Sequence, residues 1–302
     1  MEANFTINIF YKYTSIKEPE ALREWLKGAC TALGLKGRII IATEGINGTL
    51  EGTETAIAQF EAMLCETQNG TPGTHADFKD VWFKHSPGTG TAFPRLSIKV
   101  RPEIVTLRLP EDVNPNKETG THISAEELHD LFEKDEDFVI IDMRNDYEHR
   151  VGRFDKSVEP NTVNFYELPE KIKDLEHLKN KKVVTVCTYG VRCEKASGFL
   201  KREGFKDVSQ LHGGIGTYMK KYPGKNFKGS LYVFDNRMKE QFTDEYEVVS
   251  ECTECGAKTE NIVNCANGIC HKQHVECESC IEKLGAPFCS EVCQKAVQTA
   301  IA

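Results

Sequence analysis

Between residues 138 and 221 the chain alternates short apolar β-runs with helical patterns, and no other feature constrains its fold as strongly. Residues 138–141 (Phe-Val-Ile-Ile), 182–186 (Lys-Val-Val-Thr-Val) and 208–211 (Val-Ser-Gln-Leu) are short and mostly β-branched or aromatic, which reads as strand. Helical patterns follow over 168–178 and from the segment after Cys187 to Glu203, and a short helix starts near Ile215. Parallel strands need crossovers of this kind, so the segment is an α/β domain with a parallel sheet. In such sheets sites form beyond the carboxyl ends of the strands. Cys187 stands there, immediately after 182–186.

The loop Cys187-Thr-Tyr-Gly-Val-Arg192 joins that strand to a helix. Its thiol lies near the positive end of the helix and within reach of the loop's N–H groups, and both favour the thiolate. Arg192 adds a permanent charge able to hold an anionic sulfur or substrate oxygen. Cys193 opens the helix. It can resolve an oxidised or persulfidated Cys187 as a disulfide, or simply pack on the sheet; spacing leaves both open.

The N-terminal third reads β-α-β-β-α-β, a ferredoxin-like α+β unit. Strands are expected at 5–13, 36–43, 49–51, 81–84 and 96–100. Helices are expected at 19–33, where Leu22, Trp25, Leu26 and Leu33 share a face, and at 53–65, where Ile57, Phe60 and Leu64 do. Glu44-Gly-Ile-Asn-Gly48 reads as the hairpin turn, with a role toward substrate left open. Residues 110–121 are polar and broken by Pro and Gly, a linker. Ser124-Ala-Glu-Glu127 is a capping box for the helix carrying Leu128, Leu131 and Phe132. The domains expected are thus 1–109, 122–225 after the linker, and a Cys-rich region from 226 to 302.

Eight of the 12 cysteines fall between 252 and 293, in four pairs: Cys252/Cys255, Cys265/Cys270, Cys277/Cys280 and Cys289/Cys293. Short thiolate spacings suit tetrahedral zinc, and eight ligands can hold two structural ions. Sequential pairing would join the first two pairs and the last two. A cross-brace would join the first with the third and the second with the fourth. His271 and His274 are alternative ligands. Few apolar residues lie between these cysteines, so metal would supply the fold.

The net charge is −8, against a generally basic nucleic-acid binder. Residues 181–239, however, hold 13 Lys and Arg against 4 Asp and Glu, a local balance of +9 that leaves −17 for the remainder. That asymmetry suggests a face for a polyanion. Lys181, Lys182, Lys195, Lys201, Arg202, Lys220, Lys221, Lys225 and Lys228 are the candidate contacts. No apolar run approaches the roughly 20 residues that span a bilayer, and the first residues lack the basic and apolar regions of a signal peptide. A cytoplasmic protein is expected, with no membrane partner. No flavin fingerprint, haem site or two-His-one-carboxylate iron site is visible.

Asp142-Met-Arg144, Tyr147-Glu148, Gly152 and Phe154, together with Leu211-His-Gly-Gly-Ile215 and Tyr218, resemble the rhodanese domains over residues 122–223, with Arg153 where those have His. Their loop cysteine carries a persulfide, and the four residues between Cys187 and Arg192 resemble their sulfur-handling loop rather than the longer loop of the related phosphatases. The chain is similar, more closely still, to the bacterial rhodanese-type tRNA uridine hydroxylases. The residues that carry this are Cys187-Thr-x-Gly-x-Arg-Cys193-Glu-Lys195-Ala-Ser197, residues 41–50 (Ile-Ala-Thr-Glu-Gly-Ile-Asn-Gly-Thr-Leu), residues 94–101 and the Cys-rich tail. The resemblance implies oxygen-dependent formation of 5-hydroxyuridine at the tRNA wobble position, with dioxygen as co-substrate and the anticodon loop as partner. It implies Cys187, Arg192, Cys193 and Asp142 as catalytic residues, and Thr188, Tyr189, Gly190, Val191, Lys195 and Arg144 as substrate contacts. Tyr189 and Val191 depart from the family's Gly and Ile, and an exposed Tyr189 can stack on a base. A rhodanese-type sulfurtransferase or sulfur carrier is the alternative.

Overall fold

The computed structural model describes residues 4–66, 76–270 and 272–301. The N-terminal unit runs β1 (Phe5–Tyr13), α1 (Pro19–Ala32), β2 (Lys36–Ala42), β3 (Gly45–Thr53), α2 (Glu54–Glu66), β4 (Lys84–Pro87) and β5 (Leu96–Val100). Its sheet has the order β4-β1-β3-β2-β5, with β5 parallel to β2 and the other pairs antiparallel. The helices cover one face, where Leu22, Leu26, Ile57, Phe60 and Leu64 pack with Phe10, Ile46 and Leu50. The other face, carrying Ile9, Tyr11, Arg38, Ile40, Asn47 and Thr49, turns toward the second domain.

Two N-terminal expectations are corrected. The turn occupies only residues 43–44, and the glycines assigned to it are already in β3. Gly48 is there because the Phe10 ring lies across it: a Cβ would stand 2.4 Å from Phe10 Cζ. Strand pairing at 81–84 begins only at Lys84, because the Val81 N–H closes a turn onto the Phe78 carbonyl and both side chains enter the core.

The second unit begins with β6 (Thr121–Ile123), α3 (Ala125–Glu133), β7 (Phe138–Asp142), α4 (Asp146–Val151), β8 (Gly152–Phe154) and β9 (Ser157–Val158). It continues with α5 (Leu168–Lys171), a 3-10 stretch at Ile172–Leu178, β10 (Lys182–Val186), α6 (Val191–Arg202), β11 (Asp207–Leu211) and α7 (Gly214–Lys221). The sheet order is β6-β11-β10-β7-β9 and every pair is parallel. Cys187 therefore leaves the middle strand at its carboxyl end. Ser124 and Glu127 form the capping box of α3. The 168–178 helix is α-helical only at its start, since Ile172, Leu175 and Leu178 are buried at a three-residue interval that a 3-10 turn places on one face.

The tail adds β12 (Phe227–Gly229) beside β8, then β13 (Leu231–Tyr232) paired with β14 (Lys239–Glu240). It ends with the hairpin β15 (Ile262–Asn264) and β16 (Gln273–Val275), followed by α8 (Glu278–Leu284) and α9 (Glu291–Ile301). No helix among the described residues is long and apolar enough to cross a membrane.

The segment 110–121 is strapped along α6 rather than hanging between domains. Val113 is buried, the Gly120 N–H donates to Ser197 Oγ at 2.7 Å, and Glu118 pairs with Arg202. Deeper in the same contact, Lys195 Nζ meets Glu44 at 2.8 Å, Glu103 at 2.8 Å and Asp112 at 2.7 Å.

Candidate active site and metal centres

Cys187 is 1% exposed and sits at the foot of a cavity of about 410 Å³. The loop places it by physical necessity. Gly190 holds φ at 102°, which a side-chain-bearing residue rarely adopts, and a Cβ there would stand 2.8 Å from Tyr11 Oη. With that conformation the Gly190 N–H donates to Cys187 Sγ at 3.2 Å. The first amides of α7 then grip the loop, Ile215 donating to the Cys187 carbonyl at 2.9 Å and Gly216 to that of Thr188 at 3.0 Å.

Burial alone would push the Cys187 thiol up. The Cys193 thiol, the Arg192 charge and the N–H groups of Arg192 and Cys193 outweigh it and bring the thiol down to about 6. Cys193 is itself pushed well above the ordinary value, by burial and by donating to Cys187. Cys193, fully buried on α6, is therefore the thiol that stays protonated beside the Cys187 thiolate.

Arg192 is clamped rather than free. Its Nη1 and Nη2 donate to Glu148 Oε1 and Oε2 at 2.6 and 2.7 Å, and Nη2 also reaches Thr188 Oγ1 at 3.2 Å. Glu148 is fully buried at the start of α4, a helix the sequence reading did not anticipate. A bidentate pair of this kind fixes the guanidinium plane while leaving a charge beside the sulfur. Glu148 was legible only as part of the family stretch after Arg144.

Other expected site residues lie elsewhere. Asp142 and Arg144 are both fully buried and paired at 2.6 Å, Arg144 Nη2 also donating to the Gly152 carbonyl at 2.6 Å. Burial is outweighed by Arg144, which holds the Asp142 carboxyl below its ordinary range. Neither lines the cavity. They tie the end of β7 to α4 and β8. Lys195 is fully buried among three carboxylates and does not line the cavity. Tyr189 is half-buried, its hydroxyl donating to Glu240 at 2.8 Å and its ring against Gly216, so it walls the cavity instead of presenting an open face. Thr188 and Val191 also line the cavity; Gly190 shapes it from behind.

Sequence reasoning missed that one wall of the cavity comes from the N-terminal sheet. Ile9, Arg38, Ile40, Asn47 and Thr49 line the same cavity as Cys187, together with Phe165, Tyr166, Val233 and Phe234. Tyr13 Oη donates to the Val191 carbonyl at 3.2 Å and Tyr11 Oη to Glu194 at 3.1 Å, so β1 bonds directly to the loop and its helix.

The local charge excess is also less open than its +9 suggests. Lys181, Lys182, Lys195, Arg202, Lys221 and Lys228 are paired with carboxylates, and Lys201 donates to the Thr119 carbonyl. Exposed pairs are worth only about 0–1 kcal/mol, so the surface lysines still yield to a phosphate. Buried Lys195 does not.

In the tail the cysteines assemble as a cross-brace. Cys252, Cys255, Cys277 and Cys280 form one group and Cys265, Cys270, Cys289 and Cys293 the other, ligand atoms in each lying within 4.8 Å of one another. Sulfurs approach to 3.7 Å for Cys255 and Cys277, and to 3.5 Å for Cys270 and Cys289. Four thiolates around zinc at about 2.3 Å stand about 3.8 Å apart, so both groups fit a tetrahedral ion. His274 is not a ligand: it is buried and its Nε2 meets Glu276 at 2.9 Å. His271 lies outside the described residues.

Family comparisons agree with this architecture. The family described as UPF0176 acylphosphatase-like domain matches residues 5–104, the rhodanese-like domain 124–221, and the rhodanase C-terminal family 228–294. A tRNA uridine(34) hydroxylase of Cytophaga hutchinsonii is 43% identical over 292 residues, 96% of this chain and 90% of the relative. This chain belongs to the tRNA uridine(34) hydroxylase family. The Staphylococcus aureus member is 43% identical over 299 residues, 97% of this chain and 90% of the relative. Among solved structures, a rhodanese-related protein from Thermoplasma volcanium is 29% identical, covering 33% of this chain and 92% of its own, with a TM-score of 0.29.

The loop geometry carries a measurable consequence. Because the thiolate is the nucleophile, alkylation of Cys187 should rise through pH values near 6 and level off above them. Arg192→Met should move that midpoint up, toward the free-thiol value of about 8.5. An unchanged midpoint in the variant would remove Arg192 from the account.

Proposed function

We propose that this protein hydroxylates the wobble uridine of tRNA to 5-hydroxyuridine, using dioxygen, with Cys187 as the reactive nucleophile. The observation that carries the reading is the composite cavity. A thiolate lies at its foot, and its volume of about 410 Å³ falls in the range of roughly 300–1,000 Å³ typical of small-ligand sites. Its walls mix aromatic rings (Phe165, Tyr166, Phe234) with carboxamides and hydroxyls, which suits a flat, polar-edged nucleobase. A wobble base belongs to a single-stranded loop and enters such a cavity without opening a duplex. Cys187, Arg192 and Cys193 are the catalytic group in this reading: nucleophile, fixed charge and proton donor. Glu148 holds Arg192, while Asp142 and Arg144 hold the loop's base. Thr188, Tyr189 and Val191 contact the substrate. Exposed lysines such as Lys220 and Lys225 meet phosphates. A cytoplasmic location follows from a tRNA substrate.

A sulfurtransferase acting on a small donor has no need of the N-terminal sheet that supplies one wall of the cavity. The sulfur-carrier reading therefore survives only as a chemical state of Cys187, a persulfide within the same cavity.

Nucleoside mass spectrometry of tRNA from a deletion strain tests the activity. The strain should lack 5-hydroxyuridine, the wild-type chain should restore it, and a folded Cys187→Ala chain should not. Restoration by Cys187→Ala would refute the cysteine's role.

We assign zinc to both cysteine groups, one structural ion each, from the all-thiolate donor sets. Metal analysis of the purified protein should find two zinc ions per chain. Cys255→Ser should lose one ion and expose Cys277 and Cys280, not Cys265 and Cys270, to alkylation. Release of the second pair instead would contradict the cross-brace.

A further inference from the structure

We propose that Asn47, on β3, reads the base: its carboxamide oxygen accepts the N3–H of uracil in the cavity over Cys187. This rests on the wobble-uridine reading and adds how that site distinguishes uracil from cytosine.

Three asparagines line the cavity: Asn47, Asn145 and Asn164. Each commits its amide nitrogen to the protein. Nδ2 of Asn47 donates to the Ile104 carbonyl at 3.2 Å, that of Asn145 to Tyr147 Oη at 2.9 Å, and that of Asn164 to Glu167 Oε1 at 3.2 Å. Oδ1 of Asn145 is buried without a partner. Oδ1 of Asn47 accepts no hydrogen bond among the described residues either, and it is not sealed from the cavity. Anchoring Nδ2 to a backbone carbonyl fixes which end of the Asn47 carboxamide remains for a ligand. What remains is an acceptor.

The neighbours of Asn47 are donors. In the β2–β3 ladder Arg38 pairs with Thr49 and Ile40 with Asn47, so Arg38, Asn47 and Thr49 stand on one face of the sheet, the face that lines the cavity. Arg38 is exposed and has no carboxylate partner among the described residues. An acceptor beside a guanidinium and a hydroxyl complements uracil, whose N3–H lies between two carbonyl oxygens. Cytosine places an unprotonated nitrogen at that position, opposing acceptor to acceptor.

The test is the affinity of anticodon stem-loop RNAs carrying uridine, cytidine or 3-methyluridine at the wobble position. The wild-type protein should prefer uridine over either alternative by about tenfold, the ratio set by one ordinary hydrogen bond. Asn47→Val, which suits a strand and carries no acceptor, should bind all three alike. A cooperative thermal unfolding transition in that variant is the check on folding. Asn145→Ser, which keeps a capping side chain ahead of α4, should retain the preference. Full preference in a folded Asn47→Val protein overturns the assignment, as does wild-type binding of 3-methyluridine RNA equal to that of uridine RNA. A wild-type protein that binds no stem-loop, or shows no preference for uridine over cytidine, overturns the wobble-uridine reading together with it.

Discussion

One ammonium organises this molecule. Lys195 Nζ is fully buried and meets carboxylates from three separate segments: Glu44 in the turn before β3, Glu103 after β5, and Asp112 in the strap 110–121. Burying an ion costs several kcal/mol even after relaxation, and a single partner often fails to offset it. Three carboxylates at hydrogen-bond distance do so here, and they hold the Lys195 ammonium protonated against its burial. Removing the lysine would leave those carboxylates crowded together, so the contact specifies one arrangement of the two domains. Lys195 lies on α6, one turn beyond Arg192. The helix that positions the reactive loop is the one that pins the N-terminal sheet.

From that docking the chemistry follows. The sheet face carrying Ile9, Arg38, Asn47 and Thr49 becomes a wall over Cys187, and Tyr11 and Tyr13 brace the loop from the same side. Inside the loop the charges are arranged by pairing. Glu148 fixes Arg192, Arg192 and Cys193 favour the Cys187 thiolate, and the buried Asp142–Arg144 pair holds the end of β7 behind it. The N-terminal sheet adds a second wall opposite the parts of the cavity that the rhodanese domain supplies.

The parts of this arrangement that depend on local pattern were legible in the sequence. Strands such as Lys182–Val186 and Leu96–Val100, the Ser124 capping box and the position of Cys187 at the carboxyl end of its strand each follow from a few adjacent residues. So did the existence of four cysteine pairs, but not their partners, because cross-brace and sequential pairing differ only in contacts between distant segments. The glycines of β3 mimicked a turn because a strand crossed closely by Phe10 needs the same residue that a turn does. Lys195 and its companions read as a basic surface because sequence shows the lysines and not the acids that fold back on them. Asp142 and Arg144 were placed at the substrate for a related reason: a family motif marks residues that matter without saying whether they touch the ligand or hold the loop.

The central claim is that one cavity, built jointly by the N-terminal sheet and the Cys187 loop, receives the base. Zero-length photocrosslinking from an anticodon stem-loop RNA with 4-thiouridine at the wobble position addresses it most directly. Mapping the crosslinked peptides by mass spectrometry should locate them in both segments, β2–β3 around Arg38, Asn47 and Thr49, and the loop 187–192. Crosslinks confined to the loop, or found only on the outer lysine-bearing surface, would contradict a site assembled from both domains.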